Sequence, residues 1–534
     1  MNKGDLSLGL DLSTQSLTAV VLDAETGKLV ADVSLNYMED PRLNRFGIEF
    51  DSFITPPRVA GEADQPPKMF LAAIDAVFDD LKKKIDISKV AVINCSAQQH
   101  GHVYLAPGWT KAVRDLNANA EGDLISRLGG IFSYKSCPIW KTSDTEIEAS
   151  DIRRRVGGSA KMIKLSGSDS PLRFSGAVAR RVGRRYPETY AATDSIRLLS
   201  TLLAAVLSGN PEAPTDWGNA CGMSLMNYSG KRWDKKLVSA CSKGLPGGSA
   251  ALMEKLGSLD TPIADVGFVA AYFAQRFGFR RDAIVLAGSG DNPQTKVLLE
   301  GDLLSLGTSF VNMVATKGEV DPKGAFNAMY DGLGRSFMFG CRTNGALTWD
   351  KVRLQWGFDR GEYKKADAAL ADVKVGECLV IFQPDTESFP KSPAGSLRRE
   401  YSGETSFAKD YAGVIDSSLA LIYLTSKEYS SDPTIPLAVT GGPSGSPLIL
   451  ERIAAIWGRP VLPVGKTGAG AGAACAGIYA LLQKSNETSK FPAIVKNCVG
   501  SGTPVQPNAE ASEALRKPGA YFDQLTEAFK NYGA

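Results

Sequence analysis

The feature that most constrains this chain is a pattern that occurs twice. "GLDLSTQSLTAVVLD", residues 9 to 23, is an apolar run, one acidic residue, a set of hydroxyls and a second apolar run, and "LLSLGTSFVNMVA", residues 303 to 315, repeats strand, Gly/Ser/Thr turn and strand. Either stretch alone reads as ordinary hairpin chemistry, because small polar residues between two apolar runs favour a tight turn. The second copy starts roughly halfway along 534 residues, a length too great for one ordinary core. The pattern therefore predicts two domains, 1–300 and 301–534, each opening on the same hairpin.

Between the hairpins, apolar strands such as "AVINCS" and "AIVLAG" alternate with helix-like stretches such as "PPKMFLAAIDAVFDDLKKK", which is the α/β pattern. In that first helix Met69, Ala72, Ala73, Val77 and Phe78 recur at helical spacing, while Asp79, Asp80 and Lys82 to Lys84 face solvent. "GLPGGSAALMEKLGSLDTP", residues 244 to 262, reads as an excursion from the first domain. The tail beyond Lys484, with "SNETSK" and "GSGTPVQPNAEAS", is polar and is expected to be loop-like and peripheral.

Composition removes several classes of function. A formal net charge of +2 supplies no electrostatic footprint for nucleic acid or an anionic membrane, so small molecules are the expected partners. Eight scattered cysteines without a CxxC pair argue against zinc and a disulfide framework and predict reduced, buried thiols. Asp5 and Asp11 interrupt what a signal peptide needs as an apolar core, and "RLLSTLLAAVLSG" is too short to span a bilayer, so a cytoplasmic protein is expected. The only histidines are His100 and His102, which leaves acid and base work to carboxylates.

Four loops follow apolar strands and carry little side chain to obstruct a ligand. The opening hairpin is the first. "SLGTSF", with Gly307 and Thr308, offers backbone N–H groups and hydroxyls to phosphate oxygens. "LAVTGGPSGSPLILERIAAIWG" runs from a strand through Gly441 and Gly442 into a helix, so backbone or a flat base can approach without Cβ atoms in the way. In "AIVLAGSGDNPQTKVLL" a buried strand ends in glycines and delivers Asp291 and Asn292 before Pro293. An N-cap is one reading of Asp291; the other is a carboxylate at the carboxyl end of a strand, placed to accept a proton from a substrate hydroxyl. No loop matches the Walker A or dinucleotide pattern.

Taken together, "DLSTQS", "SAQQHG", "CPIW", "RFSG", "GSGDN", "SLGTS", "NGALT" and "TGGPSGSPLIL" resemble the FGGY carbohydrate kinases, the branch of the actin and hexokinase fold that includes glycerol, ribulose and xylulose kinases. The resemblance covers nearly the whole chain, and "QQHG", "RFSG" and "GDNP" look most like xylulose kinases of the eukaryotic type. It implies two ribonuclease H-like domains with a central cleft, a sugar-binding N-terminal domain and a nucleotide-binding C-terminal one. It also implies ATP and Mg2+ as cofactors, a small sugar such as D-xylulose as partner, and in-line phosphoryl transfer with domain closure excluding water. Oligomeric state, monomer or homodimer, stays open.

By the same resemblance Asp291 matches the catalytic base and Asp11 the acidic residue that helps hold magnesium through water. Ser13, Thr14 and Gln15 border the transferred phosphoryl group from one domain, Gly307 and Thr308 from the other. Gln99, His100, Arg173, Asp291 and Asn292 match sugar contacts; Gly441, Gly442 and Gly445 match the adenosine loop, with Trp356 near the base. Asp216, in "PTDWGNACGM", is given a structural role from its turn-like approach.

Three departures bear on the substrate. Trp140 is followed by Lys141 and Thr142 where family members commonly place an Asp at the second position, and Asp144 compensates only if the loop shifts by two residues. Ala97 stands for a glycine, and Ser446 for an Asn in the adenosine loop. The competing functions are the same kinase acting on another ketopentose or polyol, a sugar- and nucleotide-binding sensor without turnover, and an actin-like ATPase.

Overall fold

The structure, a computed structural model, describes residues 3–359, 361–465, 468–500 and 502–532. It divides into two compact units: Met1–Leu298, Ala328–Ser336 and Thr467–Cys498 form the first, and Leu299–Asn327, Phe337–Lys466 and Val499–Ala534 the second.

In the first unit the chain lays down β1 (Leu6–Leu12), β2 (Ser16–Asp23), β3 (Leu29–Asn36) and β4 (Val90–Ala97), then β5 (His102–Leu105) and β6 (Ser195–Leu198), and later β7 (Asp265–Phe268), β8 (Ile284–Leu286) and β9 (Ser289–Gly290). The main sheet has the order β7-β8-β4-β1-β2-β3, with β9 also on β4. β1 pairs antiparallel with β2 and parallel with β4, and this register sets Asp11 beside Ser96. All eight residues of β4 are buried, as expected for a parallel strand covered on both faces. One cover is the helix Pro67–Leu81, whose Met69, Ala73, Val77 and Phe78 are buried while Lys82 to Lys84 are exposed, the division that its helical spacing predicts.

A second helix, Ala469–Lys484, packs on β1, β2 and β4. Its sequence, "AGAGAACAGIYALLQK", explains how closely it sits. A Cβ placed on Gly9 would fall 1.9 Å from the Gly470 carbonyl oxygen, so backbone meets backbone there. Ser7 Oγ donates to Ala474 O at 2.7 Å and Asn94 Nδ2 to Ala473 O at 3.0 Å. Glycine in a helix costs about 1 kcal/mol per residue relative to Ala, and here it secures contact with the sheet. This contact corrects the division at residue 300: the first passage between units does fall at Leu298/Leu299, but 467–498 returns to the first unit.

The second unit carries β10 (Leu303–Leu306), β11 (Phe310–Ala315), β12 (Ser336–Arg342), β13 (Leu437–Gly441) and β14 (Val461–Pro463), in the order β12-β11-β10-β13-β14. β10 pairs antiparallel with β11 and parallel with β13, just as β1 pairs with β2 and β4. Both copies of the sequence pattern are thus hairpins at equivalent places in their sheets.

The tail is not loop-like. It forms helices Phe491–Val499, Ala509–Arg516 and Tyr521–Lys530. Tyr521, Phe522 and Leu525 are buried at helical spacing, with Phe522 against Tyr423 at 5.5 Å between ring centroids. Those few apolar residues outweigh the polar composition. All eight cysteines are thiols and six are buried. Among the described residues, no helix is long and apolar enough to cross a membrane.

The glycine contact makes a discriminating prediction. Gly9→Ala should destabilise by about 3 kcal/mol or more through backbone overpacking. Gly470→Ala, whose Cβ meets Val20 Cγ2 at 3.0 Å and otherwise only atoms at 3.6 Å or more, should stay within about 1 kcal/mol because helix propensity offsets the crowding. Urea unfolding of the two variants compares them directly.

Candidate active site

The first half of the site is built at the end of β1. Asp11 is half-buried, and its two oxygens accept from Ser13 Oγ at 2.5 Å and Ser96 Oγ at 2.7 Å. Burial pushes its pKa up despite those two donors. The hydroxyls of the loop are committed inside the protein: Ser13 to Asp11, and Thr14 to Gln98 Oε1 at 3.0 Å, while Trp140 Nε1 donates to Thr14 Oγ1 at 2.8 Å. Ser13 N–H closes the turn onto Ser16 O at 2.9 Å. Among the described residues the N–H groups of Thr14 and Gln15 have no acceptor. Backbone, more than side chain, is what this loop can offer an anion.

Asp291 opens the helix Asp291–Val297, whose N-cap is Gly290 without a side-chain cap. Its carboxylate therefore does not serve as the cap, and it accepts instead from the neighbouring Asn292 N–H at 2.8 Å and from the Gln99 N–H. Burial, then the nearby charge of Asp11, push its pKa up to about 7. A carboxylate poised there holds a base in the neutral range, matched to removing a proton from an alcohol as it attacks.

Around Asp291 lie polar groups with free valences. Gln99, 5% exposed, accepts from Asn292 Nδ2 at 3.0 Å and keeps its Nε2 without a partner. His100 is held at φ 68°, an uncommon conformation for a residue with a side chain. Its ring stacks on Phe174 with centroids 4.6 Å apart, and Nδ1 donates to Gly222 O at 3.0 Å. Gly222 makes room for it, since a Cβ there would lie 2.5 Å from the ring. Burial and the charge of Arg173 push the His100 pKa down to about 3. The ring is neutral, and with the proton on Nδ1 its Nε2 is an acceptor. Arg173 is half-buried and pairs with no described carboxylate. The structure thus gathers Gln99, His100, Asn292 and Asp291, with Arg173 beside His100, into one patch of donors and acceptors.

The second unit contains a cavity of about 1120 Å3 between the β10–β11 turn and the loop after β13. Gly307, Thr308, Gly442, Gly445 and Ser446 line it, facing Leu347, Arg353 and Tyr363. Cβ atoms on Gly442 or Gly445 would meet nothing within 4 Å, so both leave open space for a ligand. Gly441 falls outside that wall; at φ 100° a Cβ there would lie 2.3 Å from Leu306 O, so it serves the close approach of β13 to β10. Trp356 is outside it too, its Nε1 donating to Asp410 at 3.1 Å.

The three departures acquire physical meaning. Thr142 is buried and donates to Ala63 O at 3.2 Å. Asp144 does not replace the missing carboxylate, because its oxygens take Arg181 and Arg185, each at 2.5 Å. Ala97 lies in β4 without positive φ and carries no strain. Sequence reading missed Ser96, whose place opposite Asp11 was visible only as one more strand-end serine. It gave Asp216 a structural role, and Asp216 caps the helix Trp217–Ala220 through Asn219 N and accepts from Ser289 Oγ at 2.5 Å, two residues before Asp291.

No protein-family model matches the chain. Xylulose kinase 2 of Arabidopsis thaliana is 30% identical over 488 residues, 86% of this chain and 84% of that protein. The xylulose kinase of Schizosaccharomyces pombe is 30% identical over 420 residues, 76% of this chain and 73% of that one. Among solved structures, xylulose kinase from Rhodospirillum rubrum has a TM-score of 0.79 at 16% identity, covering 98% of this chain and 97% of its own. Plasmodium falciparum glycerol kinase with ADP gives 0.74 at 12% identity over 98% of each. The fold is that of the FGGY sugar kinases with actin- and hexokinase-like units, a class of ATP-dependent carbohydrate kinases. The chain belongs to the xylulose kinase family.

The geometry at His100 can be tested without substrate. In 15N spectra of labelled histidine, His100 should stay neutral and Nδ1-protonated from pH 8 to pH 5, because its depressed pKa moves protonation well below that window. His102, pushed down to about 4 by burial with Nδ1 on His100 O at 2.8 Å, should behave alike. A ring titration near pH 6.5 would contradict the described pocket.

Proposed function

We propose that this chain transfers the γ-phosphoryl group of ATP to a hydroxyl of D-xylulose, giving D-xylulose 5-phosphate by direct in-line transfer with Asp291 as base. The observation that carries the reading is Asp291 itself, freed from capping, raised to about 7, and set among Gln99, His100 and Asn292. A polyhydroxylated chain needs both donors and acceptors. Neutral His100 supplies an acceptor at Nε2, Gln99 a free amide donor, and Arg173 a cation for a carbonyl or hydroxyl oxygen. Asp291 then holds the proton released as the hydroxyl attacks.

Asp11 is the residue that would hold magnesium, through water. The fit rests on its chemistry: a carboxylate fixed by two serine hydroxyls, at the end of a strand, whose charge acts on Asp291. One carboxylate with water and substrate phosphates is the usual provision for this ion, and the ion neutralises charge on the transferring phosphoryl group. Thr14 and Gln15 N–H groups, and the Gly307–Thr308 turn of the second unit, are assigned to phosphate oxygens; the cavity beside Gly442 and Gly445 is assigned to the adenosine.

One observation favours a different sugar on the same machinery: Thr142 donates to a backbone carbonyl where an acceptor for a sugar hydroxyl is expected, and Asp144 is held by two arginines. ADP release across ketopentoses, polyols and a sugar-free control decides this. D-xylulose should give the highest kcat/KM, a different preferred sugar would support the alternative, and no stimulation by any sugar would remove the kinase reading. Asp291→Asn should lower kcat by about 10² to 10⁴-fold, with the sugar KM changed a few-fold at most and the thermal midpoint unchanged.

A further inference from the structure

The excursion "GLPGGSAALMEKLGSLDTP" meets β6 at a second cavity, of about 280 Å3, inside the first unit. Two cations line it. Arg197, on β6, is 5% exposed, and Lys255, near the end of the helix Gly248–Leu256, is 8% exposed. Neither has a carboxylate within ion-pair distance among the described residues. Arg197 Nη1 donates to Leu256 O at 2.8 Å, and its Nε has no acceptor. Lys255 Nζ donates to the Thr193 carbonyl. The guanidinium lies 5.5 Å from the Trp109 ring centroid and the ammonium 5.4 Å from that of Tyr190. Burial pushes the pKa of each down, against the pull of Glu212 and Asp194 on Arg197 and of Asp194 and Glu254 on Lys255, none of which is in contact with its cation.

The carboxylates of the cavity, Asp194, Glu212 and Glu254, are all exposed. Asp194 accepts from Trp109 Nε1 at 2.8 Å, and Glu212 pairs with Arg114 at 3.2 Å. A buried positive surface bordered by exposed acids favours a small anion and repels extended polyanions. Gly257 keeps the guanidinium clear: at φ 70° it has no Cβ, and one would fall 2.0 Å from Arg197 Nη1.

We propose that this cavity is a second anion site that takes a phosphate group, either free or as the end of a small phosphorylated sugar. Two buried cations that line one small cavity leave N–H donors for a tetrahedral anion, and charge-assisted bonds of this kind offset the cost of burying unpaired charge. The cavity shares no lining residue with the patch around Asp291, and its Ser195 edge, opposite Leu105, is at the other end of the β5–β6 ladder from His102.

The test is a titration of the full-length protein with inorganic phosphate at constant ionic strength, set by chloride, and a parallel titration with ribose 5-phosphate. The thermal midpoint should rise by several degrees, and tryptophan emission should change in the wild type and not in Trp109→Phe. The Arg197→Gln/Lys255→Met double variant should lose both responses, with Lys255→Met alone as the probe if the double variant does not fold. Higher potency of the ester identifies a phosphorylated sugar as the occupant; equal potency identifies free phosphate. An equal midpoint shift in wild type and variant, or no shift with either anion, overturns the proposal.

Discussion

The first unit depends on a backbone contact. Gly9 of β1 touches the Gly470 carbonyl of the helix Ala469–Lys484 where Gly9 tolerates nothing larger than a hydrogen, and Ser7 and Asn94 fasten the same helix by its carbonyls. Asp11 lies two residues beyond Gly9 on the same strand, so the helix that closes this sheet also fixes the approach to the site. A late segment of the chain thereby completes the unit that its first residues began.

From that scaffold follows the electrostatics. Asp11 and Asp291 come from strand ends far apart in sequence, and both are raised by burial, with Asp291 raised further by the charge of Asp11. Two partly desolvated carboxylates near each other are costly unless the arrangement serves binding or chemistry. Asp11 accepts from the Ser13 and Ser96 hydroxyls and is suited to charge; Asp291, near 7, is suited to proton transfer. Their different hydrogen-bond supplies separate the two roles.

Much of the site was legible because its residues sit in turns that break the local pattern. Asp291 after "GSG", and His100 before Gly101, stood out against their strands. Ser96 did not, since its importance comes from a parallel pairing with β1 that no local signal encodes. Trp356 was placed near the base by the resemblance alone; the folded chain ties its indole to Asp410, on the helix Phe407–Ser426. The tail misled for a compositional reason, because polar residues dominate it while a few apolar ones, Phe491, Ile494, Leu515, Tyr521, Phe522 and Leu525, decide that it packs.

By itself the sequence determined the α/β class, the paired hairpins and the set of polar loops, since each follows from short-range periodicity and turn chemistry. Only the tertiary structure decided which loops share a surface, that 467–498 returns to the first unit, that Asp144 is spent on two arginines, and which proton His100 carries. Those outcomes depend on desolvation and on partners hundreds of residues away, and such contacts leave no mark in any local stretch of chain.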